Sequence, residues 1–339
     1  MKNTLLLFIT LSSLSCIGQK NTNTQVLDAS KSFINSLNKD LKAEAMFPYE
    51  SAERKSWFYT PVPRKGLDFR KLSEAQKKMA MEILHASLSN RGEKTALAIM
   101  QLEGVLHVLE KMPDTSDRRD PQKYYFSFFG EPDAEKTWAW RIEGHHLSLN
   151  YASNEGKISS ATPLFFGTNP AVVPAGMPMA EGTEVLKTET EMGFSFLASL
   201  NDEQHKLAKI NEKAPADMVT ANSALAVVNQ KEGLPFNKMT KQQQKSLLKI
   251  VSHHVQRAPI GFAKELMLKM EGAGLEKLHF VWMGGEKRGE GHYYRIHNPV
   301  ILIEYDCTQN NNNHVHSVVR DLTNDWGEDI LGNHIKNDH

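Results

Sequence analysis

Two short stretches of this sequence set imidazoles at spacings that suit metal ligation. His314-Val315-His316 places histidines at i and i+2; alternate side chains of a strand share a face, so both rings can be offered to one ion. His145-His146 is an adjacent pair within Trp140–Tyr151 (WRIEGHHLSLNY), read as a continuing strand. There Arg141, Glu143 and His145 fall on one face, and His146 and Ser148 on the other. One member of the pair is thus free to face the same cleft as the His-x-His. Three imidazoles and a carboxylate suit zinc, copper or iron, with one position left for water or substrate. Glu143, Asp321 and Asp325 are the carboxylates close in sequence to these histidines, available to complete the shell or act as base. Arg141, Arg295 or Arg320 can hold an anionic group through paired hydrogen bonds. Seven of the 14 histidines lie in the last 61 residues, so they are concentrated rather than scattered.

Plainer readings stand beside these. Each imidazole can simply bond to backbone or carboxylate partners, and His145-His146 can be a strand-end pair with one ring buried and one wet. His253-His254 reads as an exposed or boundary pair on a helix, and His334 and His339 as solvated tail residues. Cys307 reads as a buried small residue. Asn310–Asn313 reads as a turn, because Asn tolerates left-handed backbone. Thr162–Pro170 (TPLFFGTNP) reads as a shaped loop lining a pocket, its prolines fixing backbone angles. No phosphate-binding glycine loop, HExxH helix, GxSxG elbow or CxxC pair occurs, which argues against nucleotide hydrolysis, common metalloproteases, serine esterases and thioredoxin-type chemistry.

The elements that must position these residues come in two similar halves. SFINSLNKD from Ser32 recurs as SFLASLNDE from Ser195. GLDFRKLSEAQKK from Gly66 recurs as GLPFNKMTKQQQK from Gly233, and FSFFGE from Phe126 as FVWMGGE from Phe280. WRIEGHHLSLNY from Trp140 aligns with YRIHNPVILIEY from Tyr294, which sets Arg141 over Arg295 and Tyr151 over Tyr305. In each half a helix comes first, marked by Phe33, Ile34, Leu37 and Leu41 in the first. A longer amphipathic helix follows: Ala80, Ile83, Leu84, Ser87 and Leu88 line one, and Leu247, Leu248, Val251 and Val255 the other. Strands close each half, Tyr124–Phe129 with Trp138–Tyr151 and Leu278–Met283 with His292–Tyr305. Helices followed by antiparallel strands give an α+β fold, an internally duplicated unit whose halves are residues 19–182 and 183–339. The Pro-, Gly- and Met-rich stretch Ala171–Gly182 links them. Polar residues found in one half only are the informative ones: His145-His146 has no counterpart opposite His297-Asn298-Pro299-Val300.

Composition bounds the rest. The 339 residues carry 40 basic and 40 acidic side chains, 40% hydrophobic and 24% charged, ordinary for a globular protein. Zero formal charge removes the usual case for nucleic acid, which needs a basic surface. Residues 1–18 read as a secretory leader: Lys2, an apolar run from Leu5 to Leu14, then a small-residue exit, too short to span a bilayer. Two processing outcomes fit, acylation of Cys16 as a lipoprotein, or cleavage after Gly18 to leave Gln19. Either way the protein is exported, periplasmic or at the cell surface, with no transmembrane span. Cys307 remains as the single thiol, so there is no internal disulfide.

The strings EGHHLSLNY, TPLFFGTNPA, YYRIHNPVILIEYD and NHVHSVVRDLTNDWGEDIL together resemble the bacterial family known as domain of unknown function 3500, from about Val26 to His334. The resemblance implies an exported or lipid-tethered protein and brings no reaction with it. It implies that Glu143, His145, His146, Thr162, Pro163, Asn169, Arg295, His297, His314, His316, Arg320, Asp321, Asp325 and Gly327 belong to family motifs. The chain departs from the pattern at Cys307, where a polar residue, often asparagine, is expected.

The leading expectation is an exported metalloenzyme. His314, His316 and one of His145 and His146 hold the metal, and Glu143, Asp321 and Arg320 serve its chemistry. Arg141, Arg295, His297 and Asn169 hold a small or carboxylate-bearing substrate. Hydrolysis by a metal-activated water leads, and a copper or iron oxidoreductase uses the same ligand types. The rivals are a non-catalytic surface protein binding a small molecule or metal, and a polar network that locks the two halves together.

Overall fold

The computed structural model describes residues 14–328, with side chains from Thr22 onward. Residues 1–13 of the leader, the side chain of Cys16, and His334 and His339 lie outside the described residues. No described helix is long and apolar enough to cross a membrane.

The first half begins with helices α1 (Leu14–Ser36) and α2 (Lys39–Ala45), then strands β1 (Met46–Phe47) and β2 (Leu67–Asp68). Helices α3 (Glu74–Ala86) and α4 (Asn90–Leu109) follow. Strands β3 (Tyr124–Phe129), β4 (Trp138–Gly144), β5 (Leu147–Asn154), β6 (Lys157–Ser160) and β7 (Leu164–Thr168) close it. The second half has α5 (Lys187–Ala198), α6 (Asp202–Ala208), β8 (Lys209–Asn211) and β9 (Leu234–Pro235), then α7 (Lys241–Val255) and α8 (Ile260–Gly272). Strands β10 (His279–Gly284), β11 (His292–His297), β12 (Ile301–Cys307) and β13 (Val315–Asp321) complete it. The fold is α+β.

Among the described residues, one mixed sheet of 13 strands runs β1-β3-β4-β5-β7-β13-β12-β11-β10-β8, with β2 on β3, β6 on β5 and β9 on β10. Counted outward from the central β7–β13 pair, the strands are β5, β4, β3, β1 on one side and β12, β11, β10, β8 on the other. The two outermost pairings, β1–β3 and β8–β10, are parallel.

Sequence signals account for the helix boundaries. The stripe Phe33–Leu41 is not one helix: α1 stops at Ser36, and Asn38 caps α2 by accepting from the Leu41 amide. Ser73 and Gln76 form a capping box that opens α3, as Thr240 and Gln243 do for α7. The amide of Gln76 then donates to the Ser36 carbonyl and that of Gln243 to the Ser199 carbonyl, at 2.8 and 2.7 Å. These bonds fix α3 to the end of α1, and α7 to the end of α5.

The two faces of the sheet are covered differently. Helices pack on the face that carries Phe126, Trp140, Tyr151, Phe280, Tyr294 and Tyr305: Phe33 of α1 lies 6.0 Å from Phe126, and Trp140 donates to Ser87 just past α3. The other face is covered by two segments, 48–66, coil apart from one 3-10 turn at Ala52–Lys55, and 212–232, coil throughout. A coil brings unpaired backbone groups into a buried layer, and these need partners. The polar strand residues supply them. Arg141 donates to the Glu53 and Ser56 carbonyls, and Glu143 accepts from the Phe58 amide. Arg320 donates to the Ser223 and Ala224 carbonyls, while Glu304 accepts from the Thr220 amide. Tyr59 stacks on Phe165 at 4.3 Å to complete this layer.

Further expectations are corrected. His292–Tyr305 is two strands, β11 and β12. Trp138–Tyr151 is two strands: Gly144 pairs with Leu147, so His145-His146 is the tight turn between β4 and β5 and not strand. Thr162–Pro170 is mostly strand β7, flanked by cis peptides at Pro163 and Pro170. His254 is neither exposed nor at a boundary: it is fully buried, bonded to the Tyr294 hydroxyl at 2.8 Å and the Ser317 hydroxyl at 3.2 Å. Ala171–Gly182 is coil joining β7 to α5.

Candidate metal centre

His146, His314 and His316 converge. Their ligand nitrogens lie within 4.8 Å of one another, and the Nε2 atoms of His146 and His314 are 2.7 Å apart. His316 is on β13 and His314 immediately precedes it, so alternation aims both rings to one side, with centroids 4.6 Å apart. His146 arrives from the β4–β5 turn. Its backbone is left-handed (φ 59°) and pinned on both sides, its amide donating to the Tyr59 carbonyl and its carbonyl accepting from Gly167. Gly167 is the register partner of His316 on β7. A Cβ there would stand 3.0 Å from His146 Cδ2, so the bare glycine makes the space in which that imidazole lies beside His316.

Burial sets the charge state. It pushes the His146 pKa well below the ordinary histidine value, and the neighbouring His145, His314 and His316 push the same way. His314 is brought down to about 3, by burial first and then by His316. Both rings are therefore neutral at pH 7 and carry the lone pairs that a metal requires. Ligand nitrogens about 2.0–2.1 Å from a tetrahedral ion stand roughly 3.3 Å apart, so His146 and His314 need part only slightly to admit one.

Behind His316 stands a carboxylate. His316 Nδ1 meets Asp217 Oδ1 at 2.7 Å, while His316 Nε2 is buried with no protein partner. Asp217 in turn accepts from the Met218 amide at 2.7 Å and the Tyr59 hydroxyl at 3.1 Å. Burial alone would raise the Asp217 pKa, but the His316 and Tyr59 bonds hold it below the usual range. Burial and the Asp217 charge keep the Tyr59 phenol protonated. An ionised carboxylate on Nδ1 fixes the tautomer that leaves Nε2 free, the support typical of metal-bound histidine. Asp306 is the register partner of His316 across β12 and on the same face. Its Oδ1 accepts from the Thr308 hydroxyl, its Oδ2 is buried without a partner, and burial raises its pKa to about 7.

His145 is held apart from this trio. Its ring stacks on His146 at 3.7 Å, and its Nδ1 meets both Glu103 of α4 and Arg119 Nη1. Glu103, His145 and His146 also lie close enough to be ligands, but the Arg119 guanidinium sits 3.6 Å from Glu103 and opposes a second cation there. A cavity of about 380 Å³ opens beside His145, lined by Arg64, Arg118, Lys123 and Tyr124 among others.

The remaining residues singled out from sequence do not join the cluster. Glu143 is paired with Arg64 at 3.2 Å, and Arg141 with Glu53 at 2.7 Å. Arg320 is paired with Asp325 at 2.5 Å. Asp321 points to the helix face, where it accepts from Lys269 of α8 and from Thr323. Arg295 pairs with Glu232 at 2.8 Å and donates to His297 Nδ1 at 3.3 Å. Asn169 accepts from the Asn310 amide. Asp217, Tyr59, Gly167 and Asp306 were not anticipated. The first two sit in coil without periodicity; the polar alternation of Glu304 and Asp306 within ILIEYDC was a usable signal.

A family described as protein of unknown function, DUF3500, matches residues 19–328, nearly the whole chain. No curated protein and no solved structure matches it.

Proposed function

Because the chain belongs to this family of proteins of unknown function, we propose a function from the site itself: a divalent transition-metal centre, of the zinc class, that hydrolyses a small-molecule substrate. The observation that carries the proposal is the convergence of His146, His314 and His316, with the free His316 Nε2 oriented by Asp217. Three neutral imidazoles leave the charge of an ion uncompensated and a coordination position open. Such an ion supplies Lewis acidity and an acidified water. Asp306, poised across from His316 with one oxygen unpartnered, is the group we assign to accept the proton. Its place in the sheet favours it over Glu143 and Asp321, whose oxygens are taken up by Arg64, Phe58 and Ser148 and by Lys269 and Thr323. We further propose that the halves are one duplicated unit; the mirrored strand order and the paired capping boxes support it. Export is inferred from the leader pattern alone.

The test is metal analysis of protein purified without added metal, followed by a panel of ester, amide and phosphoester substrates. We expect about one ion per chain, its loss in His314→Ala/His316→Ala, and turnover abolished by chelation and restored by zinc. Absence of stoichiometric metal from folded protein overturns the proposal. Metal without turnover on any substrate retires the hydrolase and leaves the binding centre.

A further inference from the structure

On the opposite face of the sheet, and independent of the histidine trio, lies a cavity of about 270 Å³ between β11, β12, α5 and the coil around Ala171. Two buried polar atoms on its wall have no partner: His292 Nε2 and Thr168 Oγ1. Buried polar groups normally find partners, so two orphans on one cavity wall ask what fills it. The His292 ring cannot turn to help itself. Its Nδ1 lies 2.8 Å from the Glu290 carbonyl, and its plane is held between Phe194 at 4.5 Å and Trp282 at 5.3 Å. With Nδ1–H donating to that carbonyl, Nε2 presents a lone pair. Burial keeps the ring neutral, its pKa brought down to about 4.

The rest of the wall is mostly apolar, with Phe194, Leu186, Val315 and the Tyr305 ring. The charged groups on it are matched, because Arg288 is paired with Glu184. Asn311 and Asn312, both left-handed, and Asn313 line the rim of its mouth. The Asn312 amide donates to the Gly289 carbonyl, and the Asn313 side chain accepts from Val172, tying both neighbouring loops to that rim.

We infer that this cavity is a second binding site, for a small neutral molecule with a compact apolar body and one hydroxyl or N–H donor, which bonds to His292 Nε2. Size agrees: a cavity of about 150 Å³ holds benzene. Matched charge at the mouth disfavours an ion, and the bare acceptor discriminates for a donor.

Phenol is the probe and toluene, with the same ring and no donor, its control. Calorimetric titration of the full chain without added metal is expected to show saturable binding of phenol, with toluene at least tenfold weaker. His292→Phe keeps the ring in its stack and removes the acceptor; at least tenfold weaker phenol binding is expected. Thr168→Val removes a buried orphan hydroxyl at constant shape, so the fold is retained, and at least threefold weakening is expected. His314→Ala/His316→Ala should leave phenol binding unchanged, which separates this site from the metal proposal. Three results each overturn the inference: no saturation by phenol, equal affinity for toluene, or affinity unmoved in whichever of His292→Phe and Thr168→Val fold. An unmoved affinity means that the cavity holds water only.

Discussion

The β4–β5 and β11–β12 turns occupy corresponding places on the two sides of the central strand pair, and they use their polar residues in opposite ways. Asn298, in the second, is wholly occupied by backbone: its side-chain oxygen accepts from Val300 and Ile301 at 2.9 Å each, and its amide donates to Met270 of α8. His146, in the first, leaves backbone bonding to its own amide and carbonyl and aims its ring at His314. A buried polar side chain that satisfies backbone belongs to the fold. One that meets other ligands, with its own backbone already satisfied, is a candidate for chemistry. The same contrast separates Arg320, bonded to Asp325 and two carbonyls, from His316, whose Nε2 meets nothing.

The largest expected effect breaks the structural side of this contrast. Arg320→Met strands the Asp325 carboxyl in a buried layer and leaves the Ser223 and Ala224 carbonyls without their donor. Removing one partner of a buried pair costs about 3–5 kcal/mol. Denaturant unfolding should show that loss, while the folded fraction binds metal as the wild type does. A drop in metal affinity of the folded variant would instead place Arg320 in the site.

A pH effect of comparable size is carried by imidazoles of the second half that have no such convergence. Burial lowers His292 to about 4, and burial with Arg295 lowers His297 to about 3. In the unfolded chain both titrate near the ordinary value of about 6.5. The unfolded state therefore takes up protons first as pH falls. Stability is full above pH 6.5 and declines down to about 4 and 3, at about 1.4 kcal/mol per pH unit for each group. Urea unfolding between pH 7.5 and 4.5 should show the slope, made shallower by one group in His292→Phe; an unchanged slope would show that His292 is not held neutral.

Asp217→Asn probes the support of the site. It keeps the volume and weakens the bond that fixes the His316 tautomer, so metal affinity should fall about 10–100-fold with little change in melting temperature. Competition with a chelator of known affinity measures it. If stability falls and affinity does not, Asp217 serves the coil 212–232 rather than the centre.

What was legible in the sequence follows from this division. Local patterns reported local structure: the stripes of α3 and α7, the left-handed asparagine run and the α+β class could be read from spacing, whereas the stripe from Phe33 to Leu41 runs through the break between α1 and α2. The His-x-His was legible for the same reason, since alternation along β13 is a local rule. Reading Trp138–Tyr151 as one continuous strand misses the His145-His146 turn, although the apolar alternation changes phase there, from even positions up to Ile142 to odd positions from Leu147, as a reversal through a two-residue loop requires. Asp217 could not be found, because its bond to His316 spans 99 residues and originates in coil. The buried arginines and glutamates looked catalytic because coil, not helix, covers their face; composition does not say which cover a strand will receive.

The smallest effect is the sharpest test of convergence, and it concerns glycine. Gly144 and Gly167 both lie beside the turn that carries His146, yet they fail differently. A Cβ at Gly144 would fall 2.3 Å from the Tyr124 ring, a clash in the core that has nothing to do with the histidines. A Cβ at Gly167 would meet His146 Cδ2 and the Val315 carbonyl at 3.0 Å, which requires a shift of a few tenths of an ångström. Gly167 does not have positive φ, so alanine suits its backbone and reduces the freedom of the unfolded chain, worth about 0.4–1 kcal/mol. That gain offsets part of the crowding, and the melting temperature should barely move. The imidazole, however, is displaced against His314 and His316, and ligand placement tolerates only about 0.5 Å. Gly167→Ala should therefore weaken metal binding several-fold at nearly constant stability. If affinity holds while His314→Ala abolishes binding, His146 is not a ligand, and the centre is built on β13 alone.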